Sequence, residues 1–296
     1  MVRRASLLLL FILPAAFWGA AVAAGPKQLP LGDGKVSAGP EVGYIYSCGM
    51  GPGGGGAFTD GPWIHGSTFD PSAKASVQGT VSWPAHKLSI VVAGGALHIT
   101  TNDLPSHPTG IFPIASGDPA YQYDRNPNSI RAQSFDVRLP LDPKPAATSS
   151  CLPGGPIGVL LSGAYLFDGL DALGRDAVAH EVQDRCSGHP QQQGAYHYHD
   201  LSPCIYSGPP GRHSSLVGYA LDGYPIYGPL GDGGKVLTDA DLDACHGTTG
   251  PVILRGKRVV TYHYVATAEY PYTLGCFHGT PVHAGGVVGL PPLPPP

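Results

Sequence analysis

Beyond its first two dozen residues, this chain has only short apolar runs. They fall at 88–92, 96–100, 157–161, 216–221, 252–254 and 258–266, and turn-forming residues bound nearly every one. Runs of this length between turn residues make strands rather than helices. With 43 glycines and 32 prolines in 296 residues, long helices have little room to form. Only 169–182 and 238–245 are predicted helical. The second opens on Thr238-Asp239-Ala240-Asp241, an N-cap-like start. The expected fold is mainly β: an antiparallel β-sandwich or barrel-like domain with long Gly/Pro-rich loops and one or two short helices.

The N-terminus sets the expected compartment. Met1-Val2-Arg3-Arg4 is a basic head, residues 5–20 are apolar apart from Ser6, and Ala21-Val22-Ala23 is a small-x-small site. This is the pattern of a secretory signal peptide, residues 1–24, cut after Ala23 or Ala24. Pro14 and the shortness of the apolar core argue against an anchor. The expectation is an exported protein, periplasmic or extracellular, with no membrane span after cleavage. Three further regions are expected: a Gly-rich N-terminal segment over 25–75 containing a linker or loose surface strand, a folded domain over 76–285, and a Pro-rich tail over 286–296. Only 13% of residues are charged, and the formal net charge is −4. That excludes a basic nucleic-acid surface and a basic amphipathic membrane helix.

Six cysteines, Cys48, Cys151, Cys186, Cys204, Cys245 and Cys276, form an even set without CxxC. In an exported chain this implies disulfides rather than a thiolate metal site. Of fifteen possible pairings, Cys186 with Cys204 is favoured because the two bracket a Tyr-His-Tyr-His stretch. Cys245 with Cys276 and Cys48 with Cys151 would follow.

That stretch, Tyr196-His197-Tyr198-His199, carries the chemistry. On a strand, side chains alternate faces, so His197 and His199 share one face about 6.6 Å apart, with the tyrosines on the other. Imidazole nitrogen suits zinc and copper. Tyr262-His263-Tyr264 repeats the pattern, and His263 would add a third imidazole if its strand lies near the first. This echo does not by itself establish a duplicated domain. His107 and Asp222 are expected nearby, Asp222 as a ligand or as a partner fixing a histidine tautomer. His189 and His278 are weaker candidates. Met50 is the only methionine beyond the expected signal peptide, which disfavours Cu(I) through thioethers. Copper is favoured over zinc. Other motifs fail. His180-Glu181-Val182-Gln183-Asp184 lacks the second histidine of HExxH. Val236 stands where a P-loop needs Ser or Thr. Asp239, Asp241 and Asp243 precede Ala244 and Gly250, where a calcium loop needs Gly and Glu.

The chain resembles the YHYH-domain proteins, a group of mostly bacterial exported proteins. Asn102 to Pro108 is similar to the family's Asn-Gly-x-Pro-x-His-Pro. Gly194 to His199 is similar to its name motif, and Gly218 to Gly228 (GYALDGYPIYG) resembles its GYAxDGFPIYG. Asp241 to Gly247 resembles its DLDxCNG, with His246 where asparagine is usual. Tyr262 to Tyr264 and Pro271 to Pro281 resemble its closing segment. The resemblance runs roughly over 88–282, and 228–242 is shorter than usual. It implies an exported single-domain protein with clustered His, Tyr and Asp, and supplies no reaction. Three functions fit: a metal-binding protein, a metal-dependent enzyme (hydrolase or copper oxidoreductase) on the same histidines, or a structural or ligand-binding β module without metal.

Overall fold

The computed structural model describes residues 28–49, 56–206, 208 and 210–282. The expected signal peptide, the glycines at 51–55 and the Pro-rich tail lie outside the described residues.

The short apolar runs become strands, and eight of them form the central sheet. These are β1 (Pro156–Leu160), β2 (Tyr165–Phe167), β3 (Gly188–Pro190), β4 (Tyr196–Tyr198), β5 (Leu216–Ala220), β6 (Pro225–Tyr227), β7 (Gly247–Leu254) and β8 (Lys257–Val265). Their spatial order is β3-β4-β2-β1-β5-β6-β8-β7. The edges β3 and β7 do not meet, so this sheet is open, and the barrel alternative is not realised. A three-stranded antiparallel sheet, Leu88–Ala93, Ala96–Thr101 and Phe135–Pro140, shares its core. Leu97 and Ile99, then Phe135, Val137 and Leu139, are buried at alternate positions, as strands with one covered face require. The mainly β expectation holds, with sheets layered on one core.

The order of the central sheet reads the same from both ends, with one half made of β1 to β4 and the other of β5 to β8. β1 and β5 meet antiparallel at the middle, with Val159 opposite Tyr219. Gly158 pairs Leu166 as Gly218 pairs Ile226. The parallel pair Leu166–Tyr198 matches Ile226–Tyr264, and the antiparallel pair His189–His197 matches Thr248–His263. The two Tyr-His-Tyr triplets are therefore equivalent positions of a sheet with internal two-fold symmetry, which the sequence echo alone does not establish.

Each half is locked by the same buried carboxylate. Asp184 accepts hydrogen bonds from the Cys186 and Gly188 amides at 2.8 and 3.4 Å and from the Tyr196 hydroxyl at 3.0 Å. Asp243 accepts from the Cys245 and Gly247 amides at 2.9 and 3.0 Å and from the Tyr262 hydroxyl at 3.0 Å. In each turn the residue between cysteine and glycine has positive φ: Ser187 at 61° and His246 at 67°. The disulfides close as expected, Cys186–Cys204 and Cys245–Cys276 at matching places and Cys48–Cys151 tying in the N-terminal region.

Both expected helices shorten. Within 169–182 only Ala177–His180 (α1) is helical, capped by Asp176. Ahead of it, the Asp168 and Asp171 carboxylates take the amides of Leu170 and Leu173, two residues on. Such side-chain bonds compete with helix. Within 238–245 a single 3-10 turn, Asp239–Asp241, remains. The described part of the stretch read as linker is packed. Ile45 is wholly buried in the main core, and Leu29 and Leu31 join Trp63, Phe69 and Val77 in a second cluster.

Two predictions follow from this sheet. At the symmetry axis, a Cβ on Gly218 would meet the Val159 carbonyl oxygen at 2.5 Å. Backbone cannot yield cheaply, so Gly218→Ala is expected to cost about 1–3 kcal/mol in urea unfolding; an unchanged midpoint would contradict the close approach. Burial pushes His246 down from 6.5 to about 3. Its Nδ1 lies 3.3 Å from Asp239, but burial outweighs that neighbour, and it also raises Asp239 itself to about 6. The unfolded chain protonates this histidine first, so its contribution is whole above pH 6.5 and is lost toward pH 3, by up to about 1.4 kcal/mol per pH unit. Asparagine tolerates the positive φ. His246→Asn should flatten the acid limb of the stability curve by up to that slope; parallel curves would contradict the assignment.

Candidate metal centre

β4 turns Tyr196 and Tyr198 to one side of the sheet and His197 to the other. Tyr196 binds Asp184, and the Tyr198 hydroxyl donates to Ser162 Oγ at 2.9 Å. These bonds fix the strand's rotation and with it the direction of His197. Antiparallel β3 sets His189 directly opposite. His199 follows β4 and curls back over the same spot. Its Nε2 stands 3.2 Å from the Nε2 of His197 and 3.2 Å from that of His189. All three histidines are at least 96% buried.

These separations suit a shared ion. Four ligands at about 2.0–2.1 Å around a tetrahedral metal stand about 3.3 Å from one another. The backs of two of the rings are held as a metal site requires. His199 Nδ1 donates to the Asp168 carbonyl, and His197 Nδ1 to the Ala195 carbonyl at 3.3 Å, which turns both Nε2 atoms toward the shared spot. His189 Nδ1 is buried without a partner. Phe167 stacks on His197 with ring centroids 4.0 Å apart and seals one side.

Glu181 supplies charge. Its Oε2 lies 3.4 Å from His199 Nε2 and 3.5 Å from His189 Nε2, close to the spacing of a fourth ligand. Burial, then the mutual repulsion of the rings, holds His189 and His197 well below the ordinary imidazole range, so both are neutral and ready to coordinate. Burial pushes His199 the same way, but the hydrogen bond and charge of Glu181 and the Asp168 carbonyl outweigh it and raise His199. Burial lifts Asp168 to about 6. The three histidines and Glu181 border a cavity of about 420 Å³ that Phe58, Arg125 and Gln191 also line.

The remaining sequence candidates lie elsewhere. His263 is not beside His197. It sits on β8, five strands away in the sheet, about 24 Å at ordinary strand spacing. The sequence echo reflects equivalent positions in two halves, not one site. His107 lies against the tyrosines, its Nε2 2.6 Å from the Tyr198 hydroxyl and its Nδ1 3.0 Å from the Pro108 carbonyl. It also neighbours Cys186 and Cys204, whose sulfurs are committed to a disulfide. Asp222 accepts from the Tyr264 hydroxyl at 2.5 Å and the Gly279 amide at 2.9 Å, the place Ser162 holds for Tyr198. It is a structural acceptor of the second half. His278 stacks on Tyr262 at 3.7 Å. His189 completes the triad. Glu181 is not predicted at all, because it carries no signal once His180-Glu181 fails as HExxH; the turn after α1 brings it in.

The comparisons bear on the same region. No curated protein and no solved structure matches the chain. Residues 136–235 match the family model described as YHYH protein, a stretch that runs from before β1 past β6 and contains all three imidazoles and Glu181. That match supports the YHYH-domain family for this chain, as the motif resemblance implies.

Proposed function

We propose that this is an exported metal-binding protein that holds one divalent transition ion between His189, His197 and His199, with Glu181 as the fourth donor. The observation that carries the reading is the convergence of three buried Nε2 atoms beside a carboxylate. Three imidazoles and a carboxylate suit Zn(II) and Cu(II), and copper binds such donors more tightly. The three disulfides agree with an oxidising compartment, periplasmic or extracellular.

A second reading, a metalloenzyme on the same centre, is favoured by the cavity that opens on the nitrogens. An ion reachable from a cavity would accept water or a small substrate if Glu181 left a position free. Azide added to the Cu(II)-loaded protein separates the two: a shifted visible spectrum means an open position, and an unchanged one means a closed binding site.

Elemental mass spectrometry on the protein made by export, without an affinity tag, tests the main reading. One equivalent of metal in the wild type, absent from a folded His197→Ala/His199→Ala variant, is expected. No metal in the wild type after incubation with copper and zinc would leave a β module without an ion. Glu181→Gln keeps the shape but removes the charge, and should weaken metal binding by at least about tenfold; unchanged affinity would remove Glu181 from the donor set.

A further inference from the structure

The symmetry of the sheet turns His263 from a misplaced ligand into the counterpart of His197. The correspondence reaches the hydrogen bonds. His263 Nδ1 faces the Thr261 carbonyl at 3.2 Å, as His197 Nδ1 faces that of Ala195 at 3.3 Å. Tyr227 lies edge-on to His263 with centroids 5.3 Å apart, at the β6 position that Phe167 fills on β2. The equivalents of His189 and His199 are Thr248 and Val265. The second half thus keeps one imidazole of the three.

That imidazole is nevertheless set as a ligand. His263 is 1% exposed, and its Nε2 is buried with no hydrogen-bond partner. A buried polar nitrogen without a partner is costly, and a native chain seldom keeps one without use. A second imidazole stands beside it from outside the repeat. His213, in the loop before β5, has its ring centroid 5.6 Å from that of His263, much as His189 and His199 stand 5.3 Å apart in the triad. Its Nδ1 faces the Ser214 carbonyl at 2.9 Å, which leaves its Nε2 bare as well. His213 is partly exposed, so the spot is reachable from solvent. Asp232 lies within electrostatic reach of His263 and supplies negative charge nearby.

We propose that the second half of the sheet carries a second, weaker locus for a divalent transition metal, held by the Nε2 atoms of His263 and His213 and best suited to Cu(II). Two imidazoles with solvent or a nearby carboxylate completing the sphere match the nitrogen-rich, open geometry that copper accepts. The locus goes beyond the triad centre and does not depend on it.

Copper titration of the untagged full chain, in competition with a chelator of known affinity, tests this. The wild type should take up Cu(II) in two classes. Single variants His213→Ala and His263→Gln should each lose the weaker class and leave the tighter one. His213 is partly exposed, so its variant is expected to fold even if the buried His263 variant does not. Thr248→His places an imidazole at the register of His189 and should move the second class to lower free copper. Two classes persisting in folded His213→Ala, no class in the wild type that depends on His213, or no shift in folded Thr248→His would overturn the proposal. A wild type that shows only a class dependent on His213 would sustain this locus while removing the triad centre.

Discussion

A buried carboxylate that collects one tyrosine hydroxyl and two backbone amides is the interaction on which this sheet depends. It occurs twice, at Asp184 and at Asp243, each time closing a turn that also carries a cysteine of a disulfide. An unpaired buried carboxylate would be expensive. Burial raises the pKa of Asp184, and its three amide donors and the tyrosine pull it back. The tyrosine must reach that carboxylate across a glycine: a Cβ on Gly188 would lie 2.2 Å from the Tyr196 ring, and one on Gly247 equally close to the Tyr262 hydroxyl. Aspartate, glycine and tyrosine are therefore one device. Fixing the tyrosine on one side of a strand fixes the histidine beside it on the other.

What distinguishes the halves is the set of side chains hung on that common frame. In the first half His189, His199 and Glu181 surround the strand histidine under a cavity. In the second, Thr248 and Val265 replace two of the imidazoles, and the strand histidine meets His213 instead. The same backbone geometry supports a dense donor cluster in one place and a sparse one in the other. Burial depresses His189, His197 and His263 alike, which favours the neutral imidazole that coordinates a metal.

Local signals in the sequence anticipated much of this, and long-range ones did not. Short runs bounded by turn residues read correctly as strands, because strand length and turn chemistry are local. Cysteine parity without CxxC points to the three disulfides. The alternation of Tyr196 to His199 placed tyrosines and His197 on opposite sides. His263 lies far from His197 because likeness in sequence is not proximity in space; the two-fold symmetry of this sheet sets the equivalent strands apart. The helix over 169–182 is shorter than its sequence predicts because Asp168 and Asp171 bind backbone amides that a helix would need. Glu181 carries no sequence signal because its role comes from the turn after α1, eighteen positions before His199, and no spacing rule links them.

The central claim is that three imidazole nitrogens of the first half share an ion. An anomalous-scattering crystal structure of the protein loaded with copper or zinc tests it most directly. The account predicts a peak about 2.0–2.1 Å from the Nε2 atoms of His189, His197 and His199, on the side facing Glu181. A loaded crystal with no peak at those nitrogens, or one whose rings have turned their Nε2 atoms apart, would contradict it.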